Sequence, residues 1–378
     1  MIIEPQYMER ALELALKGGR SVAPTPLVGA VLVHKGAVIG EGYHQRYGGP
    51  HAEVAALSSV EDRSLIPHST LYVTLEPCAH FGKTPPCADL IIDSGIKRVV
   101  VGCRDPFPQV SGLGIERLIN AGISVTEGVM ELECRAMNRR FIVAQREKRP
   151  YCILKWAQTR DGFIARADLS SRWISSAPSR TLTHLWRSQE MAILVGRTTA
   201  AVDDPELTVR HAIGQNPVRI VIDPTLSLPQ TLKLFNGATD TIILNTMRES
   251  TDGPIRFRRI DPLAWSCQAL CSTLFQEGLT SIIVEGGATT LRSFIEAQLW
   301  DEARIFISAT TFGAGIKAPS IPQQEQKQEQ GQGQGGHMCT VGADTLITLQ
   351  HPLLAARLGI TTEVLQIPIE LGVELLHL

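Results

Sequence analysis

Three residues able to share one metal ion stand where strand-like runs give way to helical ones. They are His51 in His51-Ala52-Glu53, Cys78 in Glu76-Pro77-Cys78, and Cys87 in Pro86-Cys87. One imidazole and two thiolates make three ligands, the number that leaves a tetrahedral zinc ion one position open to water. Such a set works only if a sheet brings the three junctions together, so it restricts the first part of the chain to a packed α/β unit. Zinc lowers the pKa of its water toward neutrality. Glu53 follows His51 on the first helical turn and can face that water without ligating the metal, where a carboxylate takes a proton and passes it to a leaving amine. The plain alternative is two buried cysteines and a histidine that caps a helix.

The surrounding pattern supplies such a unit. Helical spacing covers 6–18, and strands at 28–33 and 37–40 turn at Lys35-Gly36. Then come helix 51–59, strand 70–75, helix 86–94, strand 97–102, helix 113–120 and strand 123–127. Residues 130–146 read as one charged helix. The cluster Arg146-Glu147-Lys148-Arg149-Pro150 then marks a boundary, giving domains at 1–147 and 148–378. A second α/β run follows: strand 151–156, helix 178–188, strands 191–195, 218–222 and 241–244, helix 263–276, strand 280–284, helix 288–298 and strand 303–308. Residues 341–350 and 361–377 read as strands that close the second sheet. Ahead of them lies a low-complexity loop near 322–337, whose Gln323 to Gly336 stretch has no apolar residue and cannot bury itself.

Composition narrows the function. Lys plus Arg number 36 against 38 Asp plus Glu, a net charge of −2, which offers no general attraction to nucleic acid or anionic membrane. No run reaches the ~18 apolar residues of a membrane helix, and Met1-Ile2-Ile3-Glu4-Pro5 does not open like a signal peptide. The eight cysteines are irregularly spaced and read as core residues or metal ligands in a reducing compartment. The expectation is a cytoplasmic enzyme for small-molecule substrates, with no nucleic-acid or membrane partner, assembled as a homo-oligomer. Cys267 and Cys271 share a helix face and read as core; Cys103, Cys134, Cys152 and Cys339 show no partner pattern. His44 either lines the metal pocket or fills a capping or core role.

The order H-x-E, then P-C, then C is the signature of zinc nucleobase deaminases, although their usual short form is P-C-x-x-C and here eight residues separate Cys78 from Cys87. Three longer runs carry a closer likeness: Pro24-Thr25-Pro26-Leu27-Val28-Gly29-Ala30-Val31, Gly49-Pro50-His51-Ala52-Glu53, and Thr74 through Cys87 with its Gly82-Lys83-Thr84-Pro85-Pro86-Cys87 ending. Together they resemble the bifunctional deaminase–reductases of riboflavin biosynthesis. The resemblance implies a cytidine-deaminase-like three-layer α/β/α domain that deaminates a phosphoribosylated diaminopyrimidinone. It puts zinc on His51, Cys78 and Cys87, makes Glu53 the proton shuttle, and sets Thr25, His80, Lys83 and Asp105 around the substrate. Two positions depart from the family pattern: Thr25 replaces an asparagine, and Phe107 replaces the asparagine after Asp105-Pro106.

The second half lacks the G-x-G-x-x-G of a Rossmann unit, and Gly112-Leu113-Gly114 is no substitute. Ile282-Ile283-Val284-Glu285-Gly286-Gly287 is a strand ending in two glycines before a helix. Free N–H groups there suit a phosphate, and a tight steric turn explains the glycines equally. Leu194 through Arg210, Leu154-Lys155 with Asp161-Gly162, Ser171 to Ser175, and Asp301-Glu302 resemble the same family's reductase half, a dihydrofolate-reductase-like α/β domain. That resemblance implies NADPH-dependent reduction of the ribosyl group to ribityl. It assigns the cofactor to Gln158, Trp173, Thr199, Asp203 and the turn Gly287, Ala288, Thr289, Thr290, Leu291, Arg292 and Ser293. It assigns the substrate to Lys155, Ser171, Arg187, Leu207, Arg210 and Glu285. Arg187 and Arg210 offer forked donors for a phosphate monoester; Arg187 could instead sit on a solvated helix face, and Lys155 could simply pair with Asp161. Arg160 and Phe163 replace the family's apolar residue and lysine, which leaves open an alternative in which only the deaminase works and the reductase half is degenerate.

Overall fold

The computed structural model describes residues 4–79, 85–107, 111–170, 173–321 and 336–360. Two compact units divide after Glu147. The second runs from Lys148 to Leu354, and residues 355–360 group with the first. This differs from a second domain that runs to the C-terminus. The Arg135 Nη1 donates to the Leu358 carbonyl at 3.0 Å, which ties the short helix Leu354–Leu358 to the first unit.

The first unit is built from α1 (Pro5–Leu16), β1 (Gly29–His34), β2 (Ala37–Tyr43), α2 (Ala52–Ser58), β3 (Thr70–Leu75), α3 (Cys87–Asp93), β4 (Arg98–Cys103), α4 (Leu113–Asn120), β5 (Ser124–Thr126), α5 (Glu131–Met137) and α6 (Arg139–Glu147). Its sheet has the order β2-β1-β3-β4-β5. β1 is antiparallel to β2 and β3, while β3, β4 and β5 run parallel. The strands are apolar on both faces because both are covered. Leu32, Leu71, Val73 and Val101 meet Ala56, Ile91 and Leu118 of α2, α3 and α4. On the other face Val31, Tyr72 and Val100 meet Met8 and Ala11 of α1 and Cys134 of α5. The result is three layers, α/β/α.

The helix expected over 130–146 is two helices. Asn138 interrupts it because its side chain serves another segment: Oδ1 accepts from Leu27 N at 2.8 Å and Nδ2 donates to Leu27 O at 2.9 Å. A side chain pinned to a neighbouring loop in both directions fixes where the helix must bend.

The second unit contains β6 (Tyr151–Thr159), β7 (Phe163–Ala165), α7 (Ala177–Gln189), β8 (Ala192–Gly196), α8 (Arg197–Asp203), β9 (Val218–Ile222), β10 (Thr241–Asn245), β11 (Ser250–Asp252), β12 (Ile255–Arg259), α9 (Cys267–Gln276), β13 (Ser281–Val284), α10 (Ala288–Glu296), β14 (Glu302–Ser308), β15 (Ile316–Lys317), β16 (His337–Val341) and β17 (Asp344–Gln350). Ten strands form one sheet in the order β11-β12-β10-β9-β8-β13-β6-β14-β17-β16. The seven from β12 to β14 in that order are parallel, and antiparallel strands close both edges. Leu270 and Leu274 of α9 and Leu291 and Phe294 of α10 pack on Leu154, Leu194, Ile282 and Val284. The opposite face buries Ile193, Val221 and Ile243 beneath Leu207, Leu228 and Leu234.

The single strand expected over 341–350 is the second arm of a hairpin, β16–β17, which turns at Gly342 with φ +61°. The helix expected from 263 starts at Cys267, where the Ser266 side chain accepts from Ala269 N. The strand expected over 361–377 and most of the Gln-rich stretch lie outside the described residues. Cys271 lies in the second unit's core, as expected; Cys152 is buried in that core too, and Cys103 and Cys134 are buried together in the first unit's core.

Candidate functional sites

In the first unit the metal candidates come from three element ends. His51 precedes α2, Cys78 follows β3, and Cys87 opens α3. His51 Nδ1 stands 3.2 Å from Cys87 Sγ and 3.6 Å from Cys78 Sγ, and the three donor atoms lie within 4.8 Å of one another. A tetrahedral zinc with the usual thiolate and imidazole bond lengths separates its donor atoms by roughly 3.5 Å, so the triad fits the ion. Two backbone bonds set the cysteines: Cys87 N donates to Cys78 Sγ at 3.3 Å, and Ala88 N to Cys78 O at 3.1 Å. The Cys78 thiol is pushed down to about 4, mainly by its hydrogen bond with Cys87 and with help from His51. One thiol is therefore primed as a thiolate ligand.

Glu53 is buried beside this triad, and burial raises its carboxyl pKa. His44, also buried, sets its ring 5.7 Å edge-on to His51, with Nδ1 donating to Pro50 O at 2.9 Å. The Thr25 hydroxyl lies 2.5 Å from Val22 O and 3.1 Å from His44 Nε2, within reach of protein partners on two sides. Asp105 is buried, accepts from Phe107 N at 2.8 Å, and is lifted to about 7, chiefly by burial and then by the negative Glu76 nearby. His80 and Lys83 lie outside the described residues.

Glu76 has a part that its motif alone did not disclose. Its carboxylate accepts from the backbone N–H of Asp105 (3.2 Å), Gly112 (3.0 Å), Gly114 (3.0 Å) and Ile115 (3.4 Å). A buried carboxylate at the start of α4 suits the helix dipole. It fastens the Asp105 segment to the strand end that carries Cys78. Gly112 and Gly114, a poor match to a nucleotide loop, are thus explained: a Cβ at Gly114 would fall 1.9 Å from Pro77 O.

The second unit holds a cavity of about 500 Å³. Lys155, Trp173, Arg187, Thr199, Asp203, Leu207, Arg210 and Glu285 all line it, and so do Arg180, His184 and Lys233. Glu285 is its electrostatic centre. Arg187 Nε and Nη2 each donate to one Glu285 oxygen at 2.9 Å, and Lys155 Nζ lies 3.5 Å away. Burial opposes the Glu285 charge, but Arg187 and Lys155 outweigh it and hold the carboxyl at about 2. Burial also lowers the Lys155 pKa.

Two alternatives left open by the sequence find no support here. Lys155 pairs with Glu285 and not with Asp161, whose carboxylate accepts from Thr159 and from the N–H groups of Phe312 and Gly313. Arg187 is half-buried rather than on a solvated face, and its donors are occupied by Glu285 and Thr208 O. Its fork therefore orients a carboxylate. Arg210 keeps an exposed ion pair with Glu206 and lines the cavity.

The glycine turn sits beside this cavity. A Cβ at Gly196 would lie 2.5 Å from Thr290 Oγ1, one at Gly286 2.7 Å from Thr290 Cβ, and one at Gly287 3.2 Å from Thr199 Oγ1. No side chain caps the nine-residue α10, so its first N–H groups are available to a diphosphate. The close approach of Thr290 and Thr199 accounts for the glycines sterically, and the uncapped N–H groups are what suits a diphosphate group of a dinucleotide. Other members of the turn are placed differently. Ala288 and Leu291 are buried, Ser293 Oγ donates to Thr289 O at 2.7 Å, and Arg292 lines a separate cavity of about 270 Å³. Gln158 accepts from Trp156 Nε1 at 2.8 Å. Trp173 is 76% exposed and stacks under Arg180. Ser171 lies outside the described residues. Neither Arg160 nor Phe163 lines the cavity.

Comparison with known proteins follows the same division. Residues 1–103 match the cytidine and deoxycytidylate deaminase zinc-binding region, and residues 150–347 match the RibD C-terminal domain. The riboflavin biosynthesis protein RibD of Aquifex aeolicus is 43% identical over 319 residues, 83% of this chain and 89% of that protein. Its Escherichia coli counterpart is 38% identical over 82% of this chain and 88% of that protein. A crystal structure of a diaminohydroxyphosphoribosylaminopyrimidine deaminase/5-amino-6-(5-phosphoribosylamino)uracil reductase from Thermotoga maritima is 36% identical, with a TM-score of 0.79, covering 92% of this chain and 98% of that one. Acinetobacter baumannii RibD has the same TM-score at 33% identity and the same coverage.

Proposed function

We propose roles for individual side chains on one premise: the chain belongs to the family of the riboflavin biosynthesis protein RibD. It is a bifunctional enzyme of riboflavin biosynthesis, a zinc-dependent deaminase and an NADPH-dependent reductase. The observation that carries the assignment of residues is the convergence of the His51, Cys78 and Cys87 donor atoms beside buried Glu53.

In the first unit His51, Cys78 and Cys87 would hold zinc, which would make a water acidic enough to yield hydroxide near neutral pH for hydrolysis of the amine of a phosphoribosylated diaminopyrimidinone. Glu53 takes a proton from that water and delivers it to the amine as the C–N bond breaks, so that ammonia leaves and a carbonyl remains. A carboxyl whose burial favours the protonated form is suited to carrying that proton between the two steps. Asp105, held by Glu76, closes the pocket, and Thr25, His80 and Lys83 complete its lining.

In the second unit the ribosyl group enters the 500 Å³ cavity. Glu285, kept ionised by Arg187 and Lys155, accepts from sugar hydroxyls. Lys155 polarises the oxygen at the reacting sugar carbon, and Arg210 holds the phosphate, with Leu207 in the cavity lining; Ser171, outside the described residues, is kept as a further substrate contact. NADPH, when bound, supplies the hydride; Thr199, Asp203, Trp173, Gln158 and the 287–293 turn position it. No helix of the described residues is long and apolar enough to cross a membrane. Phosphorylated substrates together with NADPH favour a cytoplasmic enzyme, which we take to be a homo-oligomer.

The test supplies zinc-loaded protein with the diaminopyrimidinone ribosyl phosphate and follows ammonia release and NADPH oxidation separately. Both are expected, and Glu53→Gln should abolish both from this substrate while leaving reduction of the deaminated intermediate intact. Ammonia release without NADPH oxidation would overturn the reductase assignment. NADPH oxidation that survives Glu53→Gln from the starting substrate would overturn the order of the two steps.

A further inference from the structure

His184 lies on α7 one turn before Arg187 and one turn after Arg180, so the three share a face of that helix. It lines the cavity yet is only 4% exposed. The Arg210 backbone N–H donates to its Nδ1 at 3.1 Å. A backbone N–H can only donate, so Nδ1 carries no proton and the neutral ring must carry its proton on Nε2. Among the described residues that Nε2–H has no acceptor. This nitrogen is not among the side-chain atoms shut off from solvent without a partner, so it opens into the cavity, where a ligand oxygen can meet it. His211 packs edge-on at 4.7 Å and supports the ring without supplying an acceptor.

The charge around the ring narrows the ligand. Burial, then the neighbouring Arg187 and Arg210, and the His211 ring hold the imidazole down at about 4, while Glu285 works in the opposite direction. The ring is therefore a neutral donor at physiological pH. Arg187 is filled by Glu285, whereas Arg210 and Arg180 line the cavity without contacting Glu285. An anion seated among them would draw one hydrogen bond from a ring that adds no charge of its own.

We propose that His184 is a substrate-contacting residue of the reductase cavity, presenting Nε2–H to an oxygen of the substrate's phosphate. The same ring, through Nδ1, holds the Arg210 backbone, so that Arg210 and His184 are fixed together against one phosphate. This rests on the reading that the cavity takes the phosphoribosyl end of the substrate.

The test uses the full-length protein with NADPH and the deaminated intermediate, phosphorylated or dephosphorylated. His184→Asn keeps an acceptor for Arg210 N but lacks the reach of Nε2. It is expected to raise KM for the phosphorylated substrate about tenfold, with kcat within about twofold and with little change for the dephosphorylated one. His184→Gln, whose amide extends to the Nε2 position, should recover part of the loss. NADPH affinity checks that the unit is folded; should Asn impair it, Gln and His184→Phe, with the same substrate pair, carry the comparison. An equal loss on both substrates, or none, overturns the phosphate contact. Glu285→Gln separates the two levels. If it lowers reduction while His184→Asn changes nothing, only the His184 inference fails; if neither variant matters, the placement of substrate in the cavity fails as well.

Discussion

Arg149 and Asp301, 152 residues apart in sequence, meet in a two-pronged ion pair at 2.6 and 2.8 Å with both side chains buried. Asp301 also accepts from Cys152 N at 2.9 Å, and its own N–H donates to Cys152 O at the same distance. The pair therefore pins the starts of two adjacent parallel strands, β6 and β14. Arg149 belongs to a charged run that reads in sequence as a boundary, yet it is one of the largest fully buried side chains of the unit.

Asp301→Asn should leave the Arg149 charge uncompensated in the interior and cost roughly 3–5 kcal/mol of stability. Urea unfolding followed in the second unit would show it as an earlier midpoint. Replacing both partners with apolar residues of similar volume should recover most of the loss. If Asp301→Asn left the midpoint unchanged, the pair would not be what holds the strand starts.

Glu53→Gln should slow ammonia release by about 10²- to 10⁴-fold, the range for loss of a positioned acid–base group. Zinc content per chain should stay constant, because Glu53 is not among the three donors. Reduction of an already deaminated substrate should be unaffected. A variant that lost zinc along with activity would show that Glu53 supports the metal.

Cys87→Ser should reduce zinc content measured by atomic absorption and remove ammonia release while NADPH oxidation from the deaminated intermediate persists. A strong chelator applied to the unmodified protein should have the same split effect, and added zinc should reverse it. Equal loss of both activities on chelation would sink the separation of roles.

Acid should weaken the second unit through Glu285. Its folded-state pKa of about 2 lies below the ordinary glutamate value, so the ionised form is the one that folding favours. That stabilisation is complete above the unfolded pKa of about 4.3 and disappears as pH falls toward 2, a change on the order of 3 kcal/mol. Urea midpoints between pH 5 and 2.5 should fall in step, and Glu285→Gln should flatten the slope. An identical slope in the variant would place the acid sensitivity elsewhere.

The main alternation of strands and helices was legible because apolar runs such as Val99 to Val101 and Ile282 to Val284 are bounded by glycine or charge. His51, Cys78 and Cys87 were legible because residue type and junction position coincide. Elements held by long-range or charged contacts were hidden. β12 reads Ile255-Arg256-Phe257-Arg258-Arg259, and its arginines look like a solvated segment until Glu277 pairs with both Arg256 and Arg258. α8 starts at the residue after β8 ends, with Gly196 both closing the strand and standing at the helix N-cap, so no loop signal sets it apart. His184 gave no motif; only its spacing from Arg187 hinted at a shared face. Glu76 stood in plain view within its motif, but its four backbone partners lie 29 to 39 residues downstream.

The two cysteines of the metal site are joined directly by backbone bonds, Cys87 N to Cys78 Sγ and Ala88 N to Cys78 O. The backbone at Cys78 therefore meets the backbone at Cys87 and Ala88 directly. The entropy of closing such a loop grows only slowly with length, about 0.6 kcal/mol for each doubling. Insertions or deletions in that stretch can be accommodated without disturbing the metal donors. A lineage could remodel the stretch toward a different amine while inheriting the hydrolytic centre intact, so substrate choice and metal chemistry can drift at separate rates in this architecture.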